Sequence, residues 1–172
     1  MPRNLSRHPA DASVDKDWHK IARCDWARAL VALPVAEIKA AADTIARTHE
    51  VRDISLPQAG LGLLTLRDGA FHEPFYLGEM PVARAHVMVR TRDGREASGG
   101  AVVIDDRVRL VRALAILDAT LATRLPGWEA VATLVERGDA SRAQRDAQRR
   151  LILERTRVDF ALLGQAEEED DE

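Results

Sequence analysis

The sequence has one cysteine, few aromatic residues and no long apolar run. Of its 172 residues only Cys24 carries a thiol, and 4% are aromatic. A single thiol excludes an internal disulfide framework and a cysteine-based zinc site. No stretch approaches the ~20 consecutive apolar residues of a membrane-spanning helix, and no apolar signal segment precedes Trp18. These absences predict a cytoplasmic protein with one aliphatic core.

The sequence also lacks an excess of charge of either sign, except in its last six residues. There are 25 Lys and Arg against 28 Asp and Glu, but residues 167–172 are all acidic. Without those six, 22 acidic residues face 25 basic ones, a balance too mild for a nucleic-acid-binding surface. Polar composition predicts disordered tails at residues 1–16 and 165–172, around a single domain at residues 17–164.

Apolar residues recur every three or four positions near both ends of this domain, which predicts helices. Residues 17–47 form two such segments that join at Pro34, a helical hairpin. A third helix occupies residues 105–126, with Asp105 or Asp106 as its N-terminal cap. The ends of the domain are therefore predicted to be helical.

The last helical region is predicted to be interrupted. A short helix at residues 128–137 ends at Gly138, and a long final helix runs from about residue 139 to Leu163. Its apolar seam is narrow and is surrounded by arginines. Such a helix contributes little to a monomer core, so we expect it to bury its seam on its own domain or on a partner.

Between the helices, β-favouring residues and turn signals predict an antiparallel meander of about four or five strands. Asp68-Gly69 and Asp93-Gly94 are hairpin signals. Residues 57–60 are interpreted as a further turn, and Gly78 as a sharp turn or a bulge. The order of helices, sheet and helices predicts an α+β fold.

The residue types that usually carry chemistry are scattered. None of the five histidines forms a zinc-binding helical pair, and neither a phosphate-binding loop with Lys-Ser/Thr nor Gly-x-Ser-x-Gly is present. His86 is interpreted as a half-buried strand residue, and Cys24 as a small apolar one. We therefore predict no catalytic residue, no cofactor site and no metal site in this chain.

Two segments remain as candidates for an interface or an anion contact. In the first, Gly78 precedes Glu79, and Arg84 lies within reach of that carboxylate. The pair either stabilises the turn, or Arg84 binds an anion or carboxylate of a substrate or neighbouring subunit. The second segment is the end of the final helix, a charged surface around an apolar seam, with Arg157, Asp159 and Phe160.

These segments belong to an ordered set that resembles the PhnG family from about Trp26 to Gly164. The similar stretches, in order, are Pro57-Gln58-Ala59-Gly60-Leu61, Phe75-Tyr76-Leu77-Gly78-Glu79-Met80-Pro81-Val82-Ala83-Arg84, Asp93-Gly94, Ile116-Leu117-Asp118-Ala119 and Arg157-Val158-Asp159-Phe160. The chain departs from the family pattern at Asp105-Asp106-Arg107, where Gly-Arg-Asp is frequent. It also departs at Ala83 and Ala85, where Thr and Cys are common.

The resemblance implies that this chain is the G subunit of the bacterial carbon–phosphorus lyase core complex, with H-, I- and J-type subunits. In that complex the I-type subunit displaces adenine from ATP by a phosphonate, and the G and H subunits support this step. The J-type subunit cleaves the carbon–phosphorus bond with an iron–sulfur cluster and S-adenosylmethionine. The implied role is a non-catalytic accessory subunit that contacts the I-type subunit directly and holds no cofactor.

Two other functions remain open. A stand-alone enzyme would use Arg84 as an anion binder and Glu79 as an acid or base. A helix-turn-helix DNA-binding module would use the N-terminal hairpin, although its second helix has only Lys39 and Arg47 as basic residues. We expect neither nucleic acid nor membrane as a partner.

Overall fold

The computed structural model describes residues 17–156, which form four helices and three strands. After a 3-10 turn at Asp17–Lys20, the elements are α1 (Arg23–Leu30), α2 (Val35–Thr48), β1 (Glu50–Arg67), β2 (Pro74–Arg90), β3 (Glu96–Val103), α3 (Val108–Ala122) and α4 (Trp128–Arg155). The α+β class, the two N-terminal helices and the long final helix are confirmed. The two N-terminal helices do not pack on each other as a hairpin, because α1 packs mainly on α4 and α2 on α3. The tails and the end of the domain at residue 164 lie outside the described residues.

The sheet is antiparallel in the order β1-β2-β3, so the prediction of four or five strands is wrong in number. Residues 57–60 do not turn the chain. They continue β1 across a shift in register between Ser55 and Gln58. Pro57 fits there because an edge strand with a bulge needs no N–H donor at every position.

Gly78 is likewise an irregularity within a strand. Leu64 pairs with Gly78 but Thr65 pairs with Tyr76, so Leu77 is an extra residue on β2. Gly78 has φ +148, a conformation that residues with a Cβ rarely adopt. The bulge, one of the two predicted alternatives, is therefore what the structure has. Both Asp-Gly hairpin signals are confirmed, at the connections between β1 and β2 and between β2 and β3.

Helix α3 packs on β2 and β3 and is buried on almost every side. The contact is close at Gly99, where an added Cβ would lie 2.7 Å from the Ala119 Cβ. The largest fully buried side chains of the core are Leu30, Ile38, Leu110, Leu114, Leu117, Leu121, Leu125, Val87, Val89, Val111, Val131 and Val135. The core is aliphatic, as the composition predicts.

The N-cap position of α3 is Arg107 and has no side-chain cap, so neither Asp105 nor Asp106 caps this helix.

A carboxylate ties the outer edge of the sheet to two helices. Asp118 of α3 accepts hydrogen bonds from Arg23 Nε at 2.9 Å and from the Gly100 backbone N–H at 3.0 Å. The side chain of Asp118 is only 13% exposed, and its hydrogen bond raises the pKa of Arg23. The bond from the Gly100 N–H to Asp118 occupies one backbone donor on the free edge of β3.

Helix α4 does not end at Gly138, so the predicted break there is wrong. Gly138 is buried, and an added Cβ would lie 2.7 Å from the carbonyl carbon of Ala29. The glycine lets α1 and α4 approach closely instead of terminating a helix. Tertiary contact offsets the ~1 kcal/mol that glycine costs within a helix relative to alanine.

All three tryptophans of the sequence meet where the N-terminal turn contacts α4. The Trp18 ring lies 6.0 Å from that of Trp26 and 5.6 Å from that of Trp128, between centroids. The Arg124 guanidinium carbon lies 5.5 Å and 5.4 Å from the centroids of Trp18 and Trp128. These ring and cation–π contacts hold residues 17–20 on the body of the protein.

Within residues 17–156, no helix is both long and apolar enough to cross a membrane.

Candidate interaction site

Strands β1 and β2 extend well beyond β3. Strand β3 pairs with β2 only from Ala83 to Arg90, whereas β1 pairs with β2 down to the turn. Among the described residues, 60–82 therefore form a two-stranded ribbon whose strands pair only with each other, called the β arm below. No residue of the β arm is buried.

The β arm exposes large apolar side chains on both faces. Leu61 is 68% exposed, Leu63 64%, Phe71 82% and Tyr76 70%. The other large apolar side chains of the β arm that are exposed are Leu66, Phe75 and Leu77. Such a surface on a ribbon with no buried residue is typical of a contact site for another molecule.

Two of the predicted site residues, Gly78 and Glu79, lie within the β arm. Gly78 forms the bulge, and Glu79 is directly opposite Leu63 on the neighbouring strand. Directly opposed residues share a face of a ribbon, so the Glu79 carboxylate lies beside exposed leucines. Within residues 17–156 it makes no hydrogen bond and no ion pair.

Arg84 lies at the base of the β arm, and the structure does not bring it to Glu79. Five residues of an extended strand separate them, about 16 Å, and the odd spacing places them on opposite faces. Arg84 instead contacts Gln58. With the Gln58 amide turned so that its oxygen faces the guanidinium, that oxygen accepts from Arg84 Nε at 2.7 Å. Within residues 17–156, Arg84 forms no ion pair with a carboxylate.

The surface around Arg84 is the open face of the sheet. A shallow cavity of about 410 Å³ is lined there by residues that include Ser55, Arg84, His86 and Gly100. His86 is exposed, so its interpretation as a half-buried residue is wrong. A guanidinium, an imidazole and a hydroxyl can together contact an anion, but the cavity is open to solvent.

The second half of α4 is a separate projection. Every residue from position 143 to position 156 is exposed, including Leu151 at 60% and Ile152 at 62%. The prediction that this helix contributes little to the core is confirmed. The candidate residues Arg157, Asp159 and Phe160 follow it and lie outside the described residues.

Metal and nucleophile chemistry has little support in the described part of the chain. Within residues 17–156, no group of three or more His, Cys, Asp or Glu side chains could hold a metal ion. Cys24 is exposed, and its Sγ lies 3.9 Å from a carboxylate oxygen of Asp25.

Comparison with known families decides the assignment. Residues 21–164 match the family model described as phosphonate metabolism protein PhnG. The chain belongs to the PhnG family. No curated protein matches it. The family match spans both the β arm and the described part of α4, and it places this PhnG-family chain in phosphonate metabolism.

Sequence reasoning identified Gly78 and Glu79 but missed the apolar residues that surround them. The signal was present in Leu61, Leu63, Leu64 and Leu66, which break the alternation of a strand with one buried face. Apolar residues at adjacent strand positions indicate that both faces are apolar. The length of the ribbon beyond β3 could not be inferred in this way.

Proposed function

We propose that this chain is a non-catalytic accessory subunit of the carbon–phosphorus lyase core complex. It supports the I-type subunit in making α-D-ribose 1-methylphosphonate 5-triphosphate from ATP and methylphosphonate. The observation that carries the proposal is the pair of uncovered projections, the β arm and residues 143–156 of α4, in a member of a phosphonate-metabolism family. Apolar surface of this kind is what a subunit buries in an assembly.

The proposed complex contains the I-type subunit as the direct partner, together with H- and J-type subunits. ATP is used by the complex, and the iron–sulfur cluster and S-adenosylmethionine belong to the J-type subunit. The chain itself holds no cofactor in this proposal, and the assembly is cytoplasmic. The separation of Glu79 from Arg84 supports an accessory role, because acid–base catalysis requires groups within hydrogen-bond reach of a shared substrate.

Reconstitution tests the accessory role. The I-type subunit, this chain and an H-type subunit are mixed with ATP and methylphosphonate, and the phosphonate product is followed by phosphorus NMR. We expect product from the complete mixture, much less when this chain is omitted, and none from this chain alone. Turnover by the isolated chain would support the stand-alone enzyme instead.

Variants of α4 test its part in assembly. Leu151→Ser with Ile152→Ser removes exposed apolar surface without touching the core, so we expect normal folding and weaker co-purification with the I-type subunit. Gln144→Ser with Gln148→Ser, on the same exposed half of α4, is the matched control and should leave co-purification unchanged. Equal binding by both double variants would remove α4 from the interface.

A further inference from the structure

The β arm has no face that the described chain covers. Leu61, Leu63 and Glu79 continue the side of the sheet that α3 covers elsewhere. Leu66 and Phe75, which are 38% and 43% exposed, continue the open side. A two-stranded ribbon is marginally stable in water without a packed face, so we expect both faces of the β arm to be stabilised by contact with another molecule.

The exposed area of the β arm suits a protein partner. Seven of its large apolar side chains are between 38% and 82% exposed. Taking 150–250 Å² for an aromatic side chain and somewhat less for leucine, they present on the order of 800 Å². A stable interface buries about 800 Å² on each partner.

Charge indicates what the partner must supply. The charged residues of the β arm are Arg67, Asp68, Glu73 and Glu79, which gives a net charge of −2. Glu79 lies among leucines, and enclosing its carboxylate is costly unless a cation comes with the partner. A second copy of the chain would bring like charges together, so the charge pattern favours a different protein.

We propose that the β arm inserts into an apolar groove of the partner subunit, which covers both faces of the ribbon and places a Lys or Arg side chain against Glu79. This inference rests on the proposed function, with the I-type subunit as the partner. It assigns the principal contact to the β arm, in addition to α4.

Truncation of the β arm tests the insertion. Gly60 is directly opposite Val82, so residues 61–81 can be replaced by Asn-Gly, a two-residue hairpin turn. Because no residue of the β arm is buried, the truncated chain should fold and keep its Tm within about 2 °C. We expect the full chain to co-purify with the I-type subunit and the truncated chain to be lost from the complex.

Charge reversal tests the cation. Glu79→Lys should weaken binding to the I-type subunit by at least about 30-fold, because it leaves two like charges in the groove. Glu79→Gln should fall between that variant and the wild type. Asp106→Lys, at another exposed position, is the matched control and should change affinity by about twofold or less.

Three results would overturn the inference. Binding of the truncated chain as tight as that of the full chain would show that another surface docks, and would leave the proposed function intact. Dimerisation of the full chain that the truncation abolishes would make a second copy the occupant of the β arm. If the full chain itself fails to bind the I-type subunit, the proposed function fails and this inference falls with it.

Discussion

Strands β1 and β2 each pass through two environments, and the contrast is sharp along β2. From Ala83 to Val89 alternate residues are buried beneath α3, whereas none is buried between Pro74 and Val82. The backbone pairing with β1 is continuous through both parts. Strand length is thus set by pairing, while burial is set by the helix that lies across the sheet.

This contrast separates residues that stabilise the fold from residues that remain free for contact. The body carries the aliphatic core and the glycines that permit close packing. The β arm carries apolar side chains whose removal leaves no cavity. Matched substitutions in the two regions should therefore differ strongly in their effect on the free energy of unfolding.

The largest difference is expected for leucine truncation. Leu117→Ala empties a fully buried site beneath the sheet and should lower the free energy of unfolding by about 3 kcal/mol. Leu63→Ala, at a position that is 64% exposed, should change it by less than about 0.5 kcal/mol. Urea unfolding followed by tryptophan fluorescence measures both. Similar losses would mean that the β arm packs on the body in solution.

Glycine substitution gives the next largest contrast. Gly138→Ala should cost about 2 kcal/mol, although alanine is the better helix former, because the Cβ would overlap the Ala29 backbone. Gly60→Ala meets nothing within 4 Å and should be nearly neutral. Thermal unfolding compares the two variants. A stabilised Gly138→Ala protein would contradict the close approach of α1 and α4.

A smaller effect is expected at Asp118, which ties β3 to two helices. Asp118→Asn weakens its bonds to Arg23 and to the Gly100 N–H, and should cost about 1–2 kcal/mol. Glu79→Gln in the β arm should have no effect on stability, since that carboxylate has no partner among the described residues. Unfolding by urea at neutral pH distinguishes them, and equal costs would place Glu79 in an unrecognised contact.

The smallest effect on the free energy of unfolding is expected for the ion pair of Asp105 and Arg107, which is lost in acid. A hydrogen bond from Arg107 lowers the pKa of Asp105 from 3.8 to about 2. A carboxylate with a depressed pKa stabilises the fold above its ordinary pKa, and that stabilisation is lost as the pH falls from about 4 towards about 2. Because the Arg107 side chain is 54% exposed, Asp105→Asn should cost less than about 1 kcal/mol at pH 7, and most of that cost should be gone at pH 2. A stability difference as large at pH 2 as at pH 7 would rule out this ion pair as its source.

A carboxylate with a lowered pKa, Asp68, also lies at the tip of the β arm, where it affects only the local turn. Backbone N–H groups of Ala70 and Phe71 donate to Asp68 and lower the pKa of its carboxyl. Acid should therefore loosen the turn without unfolding the body. Amide exchange of the turn should quicken at low pH in the wild type relative to Asp68→Asn, corrected for intrinsic rates. An identical pH response in both proteins would contradict this role of Asp68.

The two glycine-containing segments show why strand limits could not be read from the sequence. Residues 57–60 and Gly78 have turn-forming composition, but a bulge uses the same residue types within a strand. Pairing with the opposite strand decides between these outcomes. The pattern around Gly138 predicts a helix stop for the same reason, since local preference carries no information that Ala29 lies against this glycine.

The candidate site shows the same division between local and tertiary information. The sequence predicts Glu79 as a contact residue because it follows Gly78, and the structure places Glu79 on the exposed β arm. The predicted pairing of Glu79 with Arg84 depends on their separation in sequence alone. An extended strand places residues five positions apart far from each other and on opposite faces.

By itself, the sequence determined the helical ends, the aliphatic core, both Asp-Gly hairpins and the α+β class. These features depend on periodicity and on turn residues that act over a few positions. Only the tertiary structure decided that three strands, not four or five, form the sheet, and that α4 continues through Gly138. It also decided that the apolar residues of the β arm lie uncovered. Burial of a strand residue depends on where α3 crosses the sheet, and no local sequence pattern encodes the position of that crossing.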